Sequence, residues 1–303
     1  IQNRLAESRF AFPVMIIYGL AVWLGAGTVA EGAYLQLAFF VASTLLMMML
    51  NNTNSLIRIY SRMVSCSFVA MTCAATFLFS SLESCATGMC FILFYLSLLR
   101  SYQDKRAPGI AFYSFACLGI ASLFFVQILY FVPFLWILMA SNMMALTHRM
   151  FWATVLGLVM PYWFAVGYYV VTNQFDAFID HFAELAQFEP LLQYEALDIH
   201  RIATFGLVVL LAVIGIIHYM RNSYQDKIRT RMIFEMFITV DILSFVFIIL
   251  QPQHFDNLLP IIIVNTSCLF AHYVALTRTW LTNVTFIVMC LATLGLTIFN
   301  LMP

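Results

Sequence analysis

The chain has 303 residues, 63% of them hydrophobic and 9% charged, with a mean hydropathy of +0.94. A water-soluble domain carries about a quarter charged residues, so composition excludes water as the main solvent. The formal net charge of zero offers no basic surface to a nucleic acid. In hydrocarbon every backbone amide must be satisfied internally, which leaves helices or a closed barrel, and long unbroken apolar runs exclude the alternating pattern of a barrel. The expectation is an all-α, polytopic integral membrane protein, a single transmembrane domain over residues 1–303, with the lipid bilayer as its main partner.

Taken in chain order, apolar runs predict spans at Phe10 to Ala26, Ala33 to Leu50, Met63 to Ser80 and Cys85 to Leu99. The first lacks a small-residue cleavage site and reads as a retained helix. No charge falls between Arg106 and Arg149, and one helix over residues 110–147 would run ~57 Å against a core of ~30 Å. Two short passes fit better, turning between Phe125 and Pro133, where Gln127 and Tyr130 add polarity. Further spans follow at Phe151 to Val171, Phe205 to Met220, Met232 to Leu250, Ile261 to Leu276 and Leu281 to Met302, about eleven in all. The seven cysteines are scattered, show no CxxC or Cys/His metal spacing, and read as small apolar residues.

Cytoplasmic loops are enriched in Lys and Arg. With the N-terminus cytoplasmic and the C-terminus extracytoplasmic, 13 of the 14 basic residues fall inside and only Arg201 outside. Nine of the 14 acids fall outside: Glu31, Glu83, Asp176, Asp180, Glu184, Glu189, Glu195, Asp198 and Asp256. Merging the uncharged stretch into one pass would scramble this separation. The segment Ser101-Tyr-Gln-Asp-Lys105 recurs as Ser223-Tyr-Gln-Asp-Lys227; a parallel duplication and two similar basic loops both accommodate it.

Three regions carry candidate chemistry. The loop 172–204 is acidic and external, with Phe175, Phe178, Ile179, Phe182 and Leu185 at helical spacing and Asp176, Asp180, His181 and Glu184 opposite them. It reads as an amphipathic lid facing a polar substrate or a divalent cation, or as a solvated connector. Asp241 lies mid-membrane, where an ionised side chain costs at least ~2.5 kcal/mol; Asn265 and His272 on the following helix, with Glu235 beside Arg278, make a relay or a helix-orienting hydrogen bond. The loop from Gln251 to Pro260 brings His254 and Asp256 to the mouth of a hairpin, as a base with its orienting group or as a plain turn. Walker A, GxGxxG, HExxH and GxSxG motifs are absent from the sequence. No metal-ligand set and no resident cofactor are expected.

The Asn51-Asn-Thr-Asn-Ser-Leu56 loop, the stretch Arg100 to Pro133 with Gly119-Ile-Ala-Ser-Leu-Phe124, Pro161-Tyr-Trp163, and Leu258-Leu-Pro260 together resemble an uncharacterised family of multi-pass inner-membrane proteins of Bacteroidetes-type bacteria. The layout of two short consecutive passes, an external amphipathic helix and a late His-containing external loop is loosely similar to GT-C glycosyltransferases. Those enzymes take sugar from a polyprenyl-phosphate donor on the external face and carry an acidic catalytic residue in a long first external loop. Here that loop runs only from about Gly27 to Gly32, with Glu31 its sole acid.

The resemblance implies a bacterial inner-membrane protein of envelope glycan or glycolipid biogenesis, as a polyprenyl-phosphate-sugar-dependent transferase. Its external-site residues would be Glu31, Asp176, Asp180, His181, His254 and Asp256. The alternatives are a transporter or flippase relying on Asp241, Glu235, Asn265 and His272, and a non-catalytic scaffold subunit.

Overall fold

A computed structural model describes residues 2–187 and 197–302. All regular structure among them is helical, in thirteen α-helices joined by short 3-10 turns. Seven are long and apolar enough to cross a membrane: α3 (Tyr34–Asn54), α5 (Leu82–Leu98), α8 (His148–Val171), α10 (Ile199–Asn222), α11 (Ile228–Leu250), α12 (Phe255–Leu276) and α13 (Trp280–Leu301). Four more are apolar but shorter: α2 (Ala11–Gly25), α4 (Met63–Ala74), α6 (Pro108–Phe124) and α7 (Val132–Ser141). The chain is a helical membrane protein. Short α1 (Gln2–Ala6) and the amphipathic α9 (Phe175–Ala183) complete the set.

The uncharged stretch divides in two as expected. Phe125 takes an extended conformation, a 3-10 turn covers Val126–Phe131, and α7 then returns, so that the Gln103 amide at the start of the hairpin donates to the Met143 carbonyl at its end (2.9 Å). The same device occurs twice more. Ala75 breaks α4 ahead of a 3-10 turn at Thr76–Ser80, and Gln251 breaks α11 ahead of one at Pro252–His254. Between α2 and α3 the chain reverses within a few residues, using Gly27 and Gly32 at φ +73° and +88°, conformations that side-chain-bearing residues rarely adopt.

Helix α12 is the axle of the bundle: 94% of its most apolar stretch is buried, and α4, α5, α10 and α11 pack around it. Beyond these, α3 and α6 lie on α5, α2 lies on α4, α8 lies on α6, and α13 spans α4 and α10. The α6–α8 seam is the tightest. A Cβ on Gly157 would stand 2.3 Å from the Phe112 carbonyl oxygen, and one on Gly119 2.6 Å from that of Leu158. Small residues let two backbones approach where lipid provides no hydrophobic drive for association. Ser122, Tyr162, Trp136 and Thr154 stitch the same layer, through Tyr162 Oη to Ser122 Oγ (2.7 Å) and Trp136 Nε1 to Thr154 Oγ1 (3.0 Å).

Hydrogen bonds define the two ends of the bundle. At the basic end, Arg58 donates to Gln225, Arg229 to Asn54 and the Leu99 carbonyl, and Asn142 to Glu235. The two SYQDK segments both lie at this end, but their aspartates differ. Asp104 is exposed and accepts from the Arg106 amide (2.8 Å), whereas the Asp226 side chain is buried against His272 (Nε2 to Oδ2, 2.9 Å).

Candidate functional site

The opposite, acidic end gathers the 3-10 turns at Thr76–Ser80, Val126–Phe131 and Pro252–His254 and the start of α10. Arg201, the lone basic residue expected on this side, is consumed by acids. Its Nε and Nη2 hold both oxygens of Asp256 (2.9 and 2.8 Å) and its Nη1 holds Asp198 (2.7 Å). The guanidinium also stacks 5.2 Å from the Phe77 ring centroid. The fork-shaped donor set suits a bidentate carboxylate, and it ties the first turns of α10 and α12 to the turn at Thr76–Ser80. Asn300 at the end of α13 does the same from another direction. Its Nδ2 donates to the Ala74 carbonyl and Thr204 Oγ1, its Oδ1 meets His200 Nδ1 at 2.9 Å, and its carbonyl accepts from Thr76. Sequence reasoning singled out neither Asn300 nor His200 as a site residue, and only a view of which breaks need carbonyl partners would have found them.

Two expectations for this end are corrected. Asp256 does not sit in a loop orienting His254: α12 begins at Phe255, taking Pro260 into its early turns, and both Asp256 oxygens face Arg201. His181 does not lie on a polar face with Asp176 and Asp180. Its Nε2 meets the Ser122 carbonyl at 3.0 Å, beside Phe178 and Phe182, which pack on Tyr162. Asp176, Asp180 and Glu184 are exposed, while Phe175 and Ile179 present exposed apolar surface. Glu189 and Glu195 lie outside the described residues.

The six transferase candidates are spread over three places: α9, the α2–α3 turn and the start of α12. Helix α9 rests on α8, and exposed Glu31 sits in the α2–α3 turn. His254 stands at the junction of the α6–α7 and α11–α12 breaks, with its ring 5.4 Å from Phe125 and 5.9 Å from Phe247; the end of α9 reaches the same junction, where Tyr130 donates to the Leu185 carbonyl. Buried Gln127 and Gln251 belong to the same two breaks. From here an apolar groove of about 290 Å³ runs between α7 and α11, lined by Tyr130, Phe134, Val246, Phe247 and Leu250. Phe134, Val246 and Leu250 are half exposed on its rim.

Nor do the relay candidates form one chain. Asp241 is fully buried and accepts from Thr266 Oγ1 (3.0 Å), leaving its Oδ1 without a hydrogen bond among the described residues. Asn265 accepts from Tyr95 instead (2.8 Å), His272 pairs with Asp226, and Glu235 with Asn142. Arg278 lies 3.9 Å from Glu7 rather than beside Glu235. Among the described residues no three His, Cys, Asp or Glu side chains are placed to hold a metal ion. The chain matches no family model, no curated protein and no solved structure.

Proposed function

We propose that this is an eleven-pass protein of the bacterial inner membrane, N-terminus cytoplasmic and acidic end external, that acts on a lipid-linked polar substrate at that end. The pass count is supported by the seven long and four short apolar helices, and the sidedness by the segregation of Lys and Arg to one end. One observation carries the functional reading: the apolar α7–α11 groove has an exposed rim and ends at Tyr130 and Gln251, with the His254 ring against its lining residue Phe247. A polyprenyl chain fits the groove, and its phosphate-linked sugar then lies at the polar breaks. In the transfer step an acceptor hydroxyl attacks the sugar's anomeric carbon, the bond to phosphate breaks with its electron pair leaving on phosphate, and His254 takes the hydroxyl proton. The end of α9 borders the groove's polar end, where Tyr130 donates to the Leu185 carbonyl; Glu31, Asp176, Asp180 and His181 are assigned no step in the transfer.

A strain lacking the protein should accumulate a lipid-linked sugar, cleared by wild type and ~100-fold or more slowly by His254→Ala, the usual loss for a general base. An unchanged lipid-linked sugar pool in the deletion strain overturns the proposal. A transporter centred on Asp241 is the second reading, favoured by the Oδ1 of that buried carboxyl, which has no hydrogen bond among the described residues. Asp241→Asn keeps the shape and removes the charge, so loss of activity with intact folding would move the assignment there.

A further inference from the structure

Two of the helix breaks meet, and each restarts the chain as a helix from the meeting point. The turn at Val126–Phe131 runs on into α7 without interruption, and the turn at Pro252–His254 runs on into α12. Phe125, just ahead of the first run, and His254, early in the second, bring the two starts together, with rings 5.4 Å apart. A helical run carries about half a positive charge at its start, so two such ends meet at the acidic end of the bundle. Discontinuous helices in membrane proteins present this end to anionic groups. Arg201, the basic residue of this end, is committed to Asp256 and Asp198 and does not compete for the role.

Gln127 lies in the first of the two turns. It is 6% exposed, and its side chain has no hydrogen bond among the described residues. A buried amide left unpaired costs ~1–3 kcal/mol, so such a group marks a place where a partner binds. Side chains three apart eclipse in a 3-10 turn, which rises ~2 Å per residue. Gln127 is therefore stacked on Tyr130, which lines the polar end of the α7–α11 groove, and stands ~6 Å beyond it.

We infer that this junction is a phosphate site, with the anion held by the Gln127 amide and the starts of the α7 and α12 runs, and the hydrocarbon chain of the same lipid in the α7–α11 groove. The inference rests on the reading of that groove as the seat of a lipid-linked substrate. A hydrogen bond from an amide to a charged phosphate oxygen is stronger than one to a neutral hydroxyl, and only a charged group gains from the helix starts. The same arrangement serves transfer: as the bond to the sugar breaks, the charge left on phosphate develops against two helix starts.

The test uses the full chain in phosphatidylcholine discs with two probes at equal mole fraction, geranylgeranyl phosphate and geranylgeraniol, each photoreactive at the far end of the chain. The phosphate should label the groove residues Phe134 and Val246 about tenfold more than the alcohol, the value of one hydrogen bond to a charged group. Gln127→Glu, which sets a carboxylate against the anion, should bring the phosphate down to the level of the alcohol and leave labelling by the alcohol unchanged. Gln127→Met, which keeps the bulk without the amide, should cut the preference severalfold and again spare the alcohol; an equal fall for both probes would make Gln127 a packing residue and overturn the inference. Equal labelling of wild type by the two probes overturns it without recourse to any variant, and so does a preference that survives Gln127→Glu. Failure of the transferase reading looks different: a phosphate preference in wild type, together with an unchanged lipid-linked sugar pool in the deletion strain, removes the transfer and leaves the phosphate site standing.

Discussion

Substituting Gly157 by alanine tests whether the α6–α8 seam holds the layer that carries α9. The new methyl would lie 2.3 Å from the Phe112 carbonyl oxygen and 3.1 Å from the Ala116 nitrogen. Restoring ordinary contact moves the helices apart by about 1 Å. Both obstacles are backbone, so no side-chain rotation relieves them. Overpacking of this kind costs ~1–3 kcal/mol. Stretching the Tyr162–Ser122 and Trp136–Thr154 bonds across the same layer adds ~0.6 kcal/mol each. The expected loss is therefore ~2–4 kcal/mol. The assay is unfolding in mixed micelles titrated with dodecyl sulfate, read by tryptophan fluorescence, since Trp136, Trp152 and Trp163 lie on α7 and α8. Gly206→Ala is the control, because a Cβ there meets nothing within 4 Å. If the two substitutions move the midpoint equally, close backbone approach is not what holds these helices together.

The paired SYQDK segments should separate under the same titration. Asp226→Ala strands His272 in the interior and should cost ~3 kcal/mol, while Asp104→Ala, at an exposed turn, should stay within ~0.5 kcal/mol; equal effects would mean that Asp226 is not latched to α12. Arg201→Ala should cost only about 1 kcal/mol, because its partners are partly solvated. Arg201→Lys should recover less than half of that loss, since an ammonium cannot fork across Asp256. Full recovery by lysine would reduce the contact to simple charge.

Helix positions were legible because each depends on a run of side chains. The end-to-end charge segregation was legible for the same reason, and it correctly required a turn near Phe125 in a stretch with no charge at all. Individual partners were not. His181 was placed on the polar face of α9 by its chemistry, yet its spacing of three from Phe178 and four from Leu185 puts it on the stripe that docks. Asp241 was expected to meet Asn265, but a residue's neighbour along a helix points about 100° away, and Thr266 is the one that faces it. Arg201 looked like an exception to the charge rule, and its two acid partners account for it. Asn300 gave no signal, because its role is set by an orphaned carbonyl at Ala74 that exists only once α4 has broken.

The burial of α12 also bears on how the protein is made. Its interior carries Asn265, Thr266, Ser267 and His272, every one of them fully enclosed by neighbouring helices or by the segment at Asp226. Alone in lipid those groups would face hydrocarbon, so α12 is a poor independent insertion unit despite its length. It emerges from the ribosome after α4, α5, α10 and α11, the four helices that surround it. The bundle can therefore close around a helix that arrives when its whole socket has already been synthesised, and a chain truncated before α12 would leave that socket open to membrane proteases and chaperones.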